Sequence, residues 1–251
     1  MQRYFIESTK KGLNERFFIT GDDVHHISRV MRMKANDVII CCFNDGFQAK
    51  CKIVQITNEN VECEIIEWIE QSNELPVEVV IVSGLPKGDK LEWIIQKGTE
   101  LGASTFIPFN AARSVVKLDQ KKAAKKVERW GKIAKEAAEQ SHRSKIPNVE
   151  SPKSLQEIIQ LAEEADVKVV AYEEVAKDGE VSQLHQSFNQ LSSGGKVFAL
   201  FGPEGGLTDK EIGQLIEAGF VICGLGPRIL RAETAPLYFL SAISYHFELM
   251  R

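Results

Sequence analysis

The 251-residue chain contains no apolar run of about 18 residues, so no segment is expected to span a membrane. Its opening stretch, MQRYFIESTKKGLNER, lacks the long apolar core and small-residue cleavage site of a secretory signal. Cysteine is sparse. The five residues Cys41, Cys42, Cys51, Cys63 and Cys223 form no C-x-x-C pair, which argues against a disulfide framework and a zinc ribbon. A reducing cytoplasm is the expected compartment. With 18 glycines and 8 prolines the chain is neither collagen-like nor of low complexity, and 43% hydrophobic residues argue against disorder.

An excess of positive charge is missing too: 31 Lys and Arg stand against 35 Asp and Glu, a net charge of −4. That excludes a globally basic nucleic-acid binder but not a local basic surface. Between Arg113 and Lys145, eleven lysines and arginines face four acidic residues. This segment is expected to form a helix over 120–141, with Ala123, Val127, Trp130, Ile133, Ala134 and Ala137 inward and lysines outward.

Two regions follow from the change in hydrophobic period. Over 1–70 the segments RYFI, RFFIT, DVIICCF, AKCKIVQI and VECEIIEWI predict short strands. One helix is expected among them, capped by Asp22 or Asp23, with Val24, Ile27, Val30 and Met31 on one face. Five strands and a short helix suggest a small barrel. The polar stretch QSNELP reads as a linker, placing a boundary between 1–72 and 73–251. Beyond it, the continuous apolar run VEVVIVSG suits a strand covered on both faces, and strands alternate with helices to the end. An α/β domain with a parallel sheet is expected.

Two glycine-rich turns carry the chemistry. In FALFGPEGGLTDKEI, a strand ends at Leu200-Phe201 and runs into Gly202-Pro203-Glu204-Gly205-Gly206. A helix follows with Thr208 and Glu211 spaced as a capping box. In VICGLGPRILRAETAPLYFLSAI, a strand leads to Gly224-Leu225-Gly226, then Pro227-Arg228-Ile229-Leu230-Arg231, and Thr234 caps the last helix. Neither turn is a P-loop, and Ile229 stands where a dinucleotide fingerprint needs its third glycine. Each could be a plain tight turn. Together, at the carboxyl ends of two strands, they are expected to form one small-molecule pocket rather than two unrelated turns. On these residues alone an RNA-modifying enzyme, a non-catalytic RNA-binding factor and a metabolite enzyme stay open.

The two turns closely resemble those of the RsmE family, the 16S ribosomal RNA uridine-N3 methyltransferases of the SPOUT superfamily. The resemblance extends through KGDKLEWIIQKGTELGA, IPFNAARSV, RWGKIAKEAAEQSHRSKIPNV and the run His25-His26-x-x-Arg29-Val30-Met31-Arg32, and so covers nearly the whole chain. Two departures stand out: Ala35-Asn36-Asp37 replaces a Gly-Asp turn, and His142 replaces a smaller residue.

The resemblance implies a C-terminal SPOUT domain with a deep trefoil knot and an N-terminal PUA-like, RNA-binding β-barrel. It implies S-adenosyl-L-methionine held by Leu200, Phe201, Gly202, Pro203, Glu204, Gly205, Leu225, Gly226, Ile229, Leu230, Ala232 and Thr234. The substrate would be 16S rRNA within the small ribosomal subunit, and the protein a homodimer. Methyl transfer from a sulfonium needs no metal. It does need a cation for the uridine anion, expected of Arg231, and a proton acceptor, expected of Glu233 with Glu204 the lesser candidate. RNA contacts are expected from Arg3, Arg29, Arg32, Lys34, Arg113, Lys121, Lys125, Gln140 and Arg143.

Overall fold

The computed structural model describes residues 1–10, 15–116, 118, 120–173 and 183–250, with the side chains of 120–122 left aside. The chain divides into two units, Met1–Glu74 with Ala138–Lys145, and Leu75–Ala137 with Ile146–Arg251.

The first unit holds β1 (Arg3–Ile6), β2 (Arg16–Ile19), α1 (Asp22–His25), β3 (Val38–Phe43), β4 (Gln48–Ile56) and β5 (Val61–Ile69). They form one sheet in the order β1-β3-β4-β5-β2, with β1 parallel to β3 and the other pairs antiparallel. The edge strands β1 and β2 share no ladder among the described residues. Their inward residues Tyr4, Ile6, Phe17 and Ile19 instead join one core with Ile39, Cys41, Cys51, Ile53 and Cys63. Closure is thus made by side chains rather than by backbone pairing, and the cysteines serve as small apolar residues.

The helix differs from its expected form. Gly21 with φ 74° is the cap, and Asp22 and Asp23 fall in the first turn. Val24 and Ile27 are buried, but Val30 and Met31 are exposed. After His25 the chain winds into a wider turn over His26–Val30, closed by Met31 N–H donating to His26 O at 2.8 Å. That extra residue per turn rotates the later positions away from the core.

Both departures from the family's pattern lie where backbone geometry favours glycine. Asn36 has φ 74° and His142 has φ 60°. Asn tolerates the left-handed region because its short polar side chain bonds locally, and His is also among the residues other than glycine enriched there.

The segment 138–145 belongs to this unit through a buried ion pair. Arg143 is 4% exposed. Its Nε donates to Glu74 at 3.0 Å, and Ser144 N–H donates to the same carboxylate at 2.8 Å. Burial works to raise the Glu74 carboxyl, but these donors outweigh it and hold it below its usual value.

The second unit contains β6 (Glu78–Gly84), α2 (Lys90–Glu100), β7 (Thr105–Phe109), α3 (Gln120–Gln140, of which 120–137 lie here) and β8 (Asn148–Val149). It continues with α4 (Leu155–Leu161), β9 (Val167–Ala171), α5 (Gln183–Gln190), β10 (Lys196–Phe201), α6 (Asp209–Glu217), β11 (Val221–Cys223) and α7 (Ala235–Ser244). All six strands are parallel in the order β11-β9-β10-β6-β7-β8. The continuous apolar run of β6 splits by the strand's period of two. Val79 and Ile81 join a core with Phe201, Phe239 and Leu240, while Val80 and Val82 join one with Phe198, Leu200 and Leu215. The short β8 and α5 are elements that the hydrophobic pattern does not announce.

Arg143→Met should destabilise the protein by about 1.5–3 kcal/mol, since it removes the charged partner of a half-buried carboxylate that Ser144 and Lys145 N–H groups still bond. Glu74 binds its proton less tightly in the folded than in the unfolded chain. Its contribution is therefore complete above the unfolded value near 4.5 and is lost as pH falls through the depressed folded value. Thermal midpoints measured between pH 6 and pH 3 should show an acid limb that Glu74→Gln flattens.

Candidate active site

Strands β9, β10 and β11 stop level with one another: Ala171 pairs in register with both Phe201 and Cys223. Three connections therefore leave the sheet together at its carboxyl edge, and a cavity of about 590 Å³ lies among them. Ligand pockets commonly span about 300–1,000 Å³.

The first glycine turn forms the floor. Phe201, Gly202, Pro203, Glu204 and Gly205 line the cavity, with Gly206 and Leu207 beside them. The expected capping box fixes the following helix. Thr208 N–H and Oγ1 each lie 2.8 Å from Glu211 Oε2, and Glu211 N–H donates to Thr208 Oγ1 at 3.2 Å. The second oxygen of that buried carboxylate accepts Ala112 N–H at 2.8 Å. Arg113 completes the tie, donating from Nη1 to Gly205 O and Leu207 O, each at 3.2 Å. Close approach accounts for the glycines here. A β-carbon at Gly84 would stand 2.4 Å from Pro203 N, and one at Gly205 would meet Arg113 Cβ at 3.1 Å.

The second glycine turn forms the facing wall, where Leu225, Gly226, Ile229, Leu230 and Ala232 line the cavity. Gly226 has φ 85°, a conformation that glycine adopts without strain. Arg231 lines the cavity as well and is exposed. Two expected cofactor residues stand off the wall. Leu200 is fully buried beneath the floor. Thr234 precedes α7 without a side-chain cap bond, because its backbone is already helical (φ −88°, ψ −36°).

Glu233, expected to accept a proton, also stands off the lining. Its Oε2 is buried without an aligned hydrogen bond, 3.2 Å from Lys90 Nζ. Glu204 is the carboxylate on the cavity itself, and the same Lys90 Nζ lies 2.9 Å from its Oε1. Burial works to raise the Glu204 carboxyl, but Lys90 and the Lys87 N–H at 3.2 Å bring it below the usual range. Glu204 and then Glu233, beside its Nζ, raise the Lys90 ammonium in turn.

Sequence reasoning misses Lys90, and it misses Ala171, Tyr172 and Glu173 as the third wall. One signal for Lys90 exists. A cation in the first turn of a helix opposes the helix dipole, so something other than helix stability puts it there.

The residues expected to meet RNA are scattered in role. Arg29, Arg32, Lys34, Lys125 and Gln140 are exposed. Arg113 braces the glycine turn, Arg143 is buried on Glu74, and the Lys121 side chain lies outside the described residues. Arg3 is half-buried and donates to Gln48 Oε1. On α3, Arg129 pairs with Glu92 at 2.7 Å and Lys132 with Glu128 at 3.1 Å, so part of the helix's charge is already compensated.

The chain pairs a parallel α/β unit, its pocket at the carboxyl strand ends, with a small β unit, and an RNA methyltransferase family model matches each. Residues 73–244 match the RNA methyltransferase domain, and residues 19–66 match the RNA methyltransferase PUA domain. The chain is 59% identical to Ribosomal RNA small subunit methyltransferase E of Bacillus subtilis, over 100% of this chain and 99% of that protein. It is 33% identical to the protein of that name from Synechocystis, over 90% of this chain and 72% of that one. Among solved structures, a Ribosomal RNA small subunit methyltransferase E from Neisseria gonorrhoeae bound to S-adenosyl methionine superposes with a TM-score of 0.83 at 28% identity, covering 98% of both chains. The chain belongs to the ribosomal RNA small subunit methyltransferase E family.

Gly84→Ala tests the cavity floor. The added methyl group overlaps Pro203, so stability should fall by about 1–3 kcal/mol, read as a lower thermal midpoint.

Proposed function

We propose that this chain transfers the methyl group of S-adenosylmethionine to N3 of one uridine of 16S ribosomal RNA, met within the small subunit. In this reading, residues 1–72 are the RNA-binding PUA-like domain and residues 73–251 the methyltransferase domain. The two glycine turns belong to the knotted SPOUT loops, and the enzyme acts as a cytoplasmic homodimer. The observation that carries the reading is the convergence of both glycine turns on one cavity whose rim holds Arg231.

The residues present fit the cofactor. The cavity suits an adenosyl compound in size, and Phe201, Leu225 and Leu230 offer apolar surface for a flat ring. With no side chain at Gly202, Gly205 and Gly226, the backbone there lets a ligand approach closely. When bound, S-adenosylmethionine would supply an electrophilic methyl group, attacked in line by the nucleophile as its bond to sulfur breaks and neutral S-adenosylhomocysteine leaves.

Uridine N3 carries a proton between two carbonyls, so it attacks only as that proton leaves. The resulting negative charge spreads over N3 and both oxygens. The Arg231 guanidinium, exposed at the rim, stabilises that charge where it develops. Of the two carboxylates considered as proton acceptor, Glu204 lines the cavity and Glu233 does not. Glu204 therefore takes the N3 proton, directly or through one water. The exposed Arg29, Arg32, Lys34 and Lys125 supply phosphate contacts that hold the RNA.

Calorimetric titration with S-adenosylmethionine tests the pocket. Arg231→Ala should lower turnover on small subunits by about 100-fold or more while cofactor affinity stays within about threefold, and equal turnover in the two proteins removes Arg231 from the reaction. RNA affinity, measured between 50 and 200 mM salt, should fall steeply with rising salt, and Arg29→Ala with Arg32→Ala should reduce that slope.

A further inference from the structure

Lys90 opens α2 at the positive end of the helix dipole, where a cation is disfavoured. The helix gives it no compensation. Asp89 makes no side-chain cap bond, and Glu92, the acidic residue of the first turn, pairs with Arg129. The position is set from outside the helix, by two carboxylates belonging to two different loops. Glu204 Oε1 lies 2.9 Å from Nζ and Glu233 Oε2 lies 3.2 Å away. Glu204 sits in the turn after β10 and Glu233 in the connection between β11 and α7. A single ammonium is therefore shared between the floor and the facing wall of the cavity. The buried Glu233 Oε2 has no aligned hydrogen bond, so this ion pair carries its compensation.

We propose that Lys90 is a positioning residue: by pairing with Glu204 and Glu233 it fixes the spacing of the two glycine turns and sets the charge that the cofactor meets at the cavity. This rests on the S-adenosylmethionine reading above. Without the ammonium, two carboxylates face one another across the loops. They then attract a cation more strongly than a neutral molecule. S-adenosylmethionine and its product S-adenosylhomocysteine provide that comparison, because they differ by one methyl group and the positive charge of the sulfonium.

The test is calorimetric affinity for both compounds in the full chain and three variants. Lys90→Met should raise the preference for S-adenosylmethionine over S-adenosylhomocysteine by about tenfold, beyond any common loss of affinity. Lys90→Arg keeps the charge and should keep the wild-type preference. Glu204→Gln removes one negative charge and should shift the preference the other way. Glu204 is partly exposed, so this arm decides the matter if Lys90→Met fails to fold. If Lys90→Met weakens both compounds equally, or if Glu204→Gln leaves the preference unchanged, Lys90 is only structural and the proposal is overturned. Failure of the wild-type protein to bind either compound sinks the cofactor reading and this proposal with it, a result distinct from an unchanged preference.

Discussion

The site depends on a register. Because Ala171, Phe201 and Cys223 align across β9, β10 and β11, three connections depart from one edge at one height. Parallel pairing makes this possible, since every strand then ends on the same side, and coverage of both faces by helices keeps the strands apolar. The loops inherit their meeting point from the sheet. Their sequences decide what the meeting point can do: glycines for close backbone approach, carboxylates and cations for charge.

Charge at the cavity is arranged in linked layers. Arg113, on the cavity lining, and Glu211 lock the first turn through backbone groups of Gly205, Leu207 and Ala112. Lys90 joins that turn to the second one through Glu204 and Glu233. Among the described residues Arg231, exposed at the rim, makes no such tie, which suits it to answer a substrate. The same residue types thus serve as braces or as reactive groups according to whether their partners are internal.

Much of this was legible in the sequence, for reasons that can be named. The strands of the parallel sheet are apolar runs because both faces are buried, so β6 and β10 read plainly. Thr208 and Glu211 announce their helix because a capping box is a local bargain between two side chains and two amides. The glycine turns announce the pocket by composition. What stayed hidden is tertiary. Lys90 lies 114 residues from one partner and 143 from the other, and no local pattern couples them. Arg143 looks like a surface cation until Glu74 is found 69 residues away. Glu233 sits beside the pocket in sequence but turns off its lining. The two-residue β8 is too short to carry a period.

The two sides of the cavity are not equally held. Pro203 is wedged against Gly84, and the turn around it is bonded to Arg113 and Glu211. Opposite, Ile229 is 70% exposed and Thr234 gives α7 no side-chain cap. A ligand seated against the braced turn would therefore find its adjustable contacts at exposed side chains such as Ile229, and ordering them on binding costs conformational entropy that a stiffer residue there would reduce.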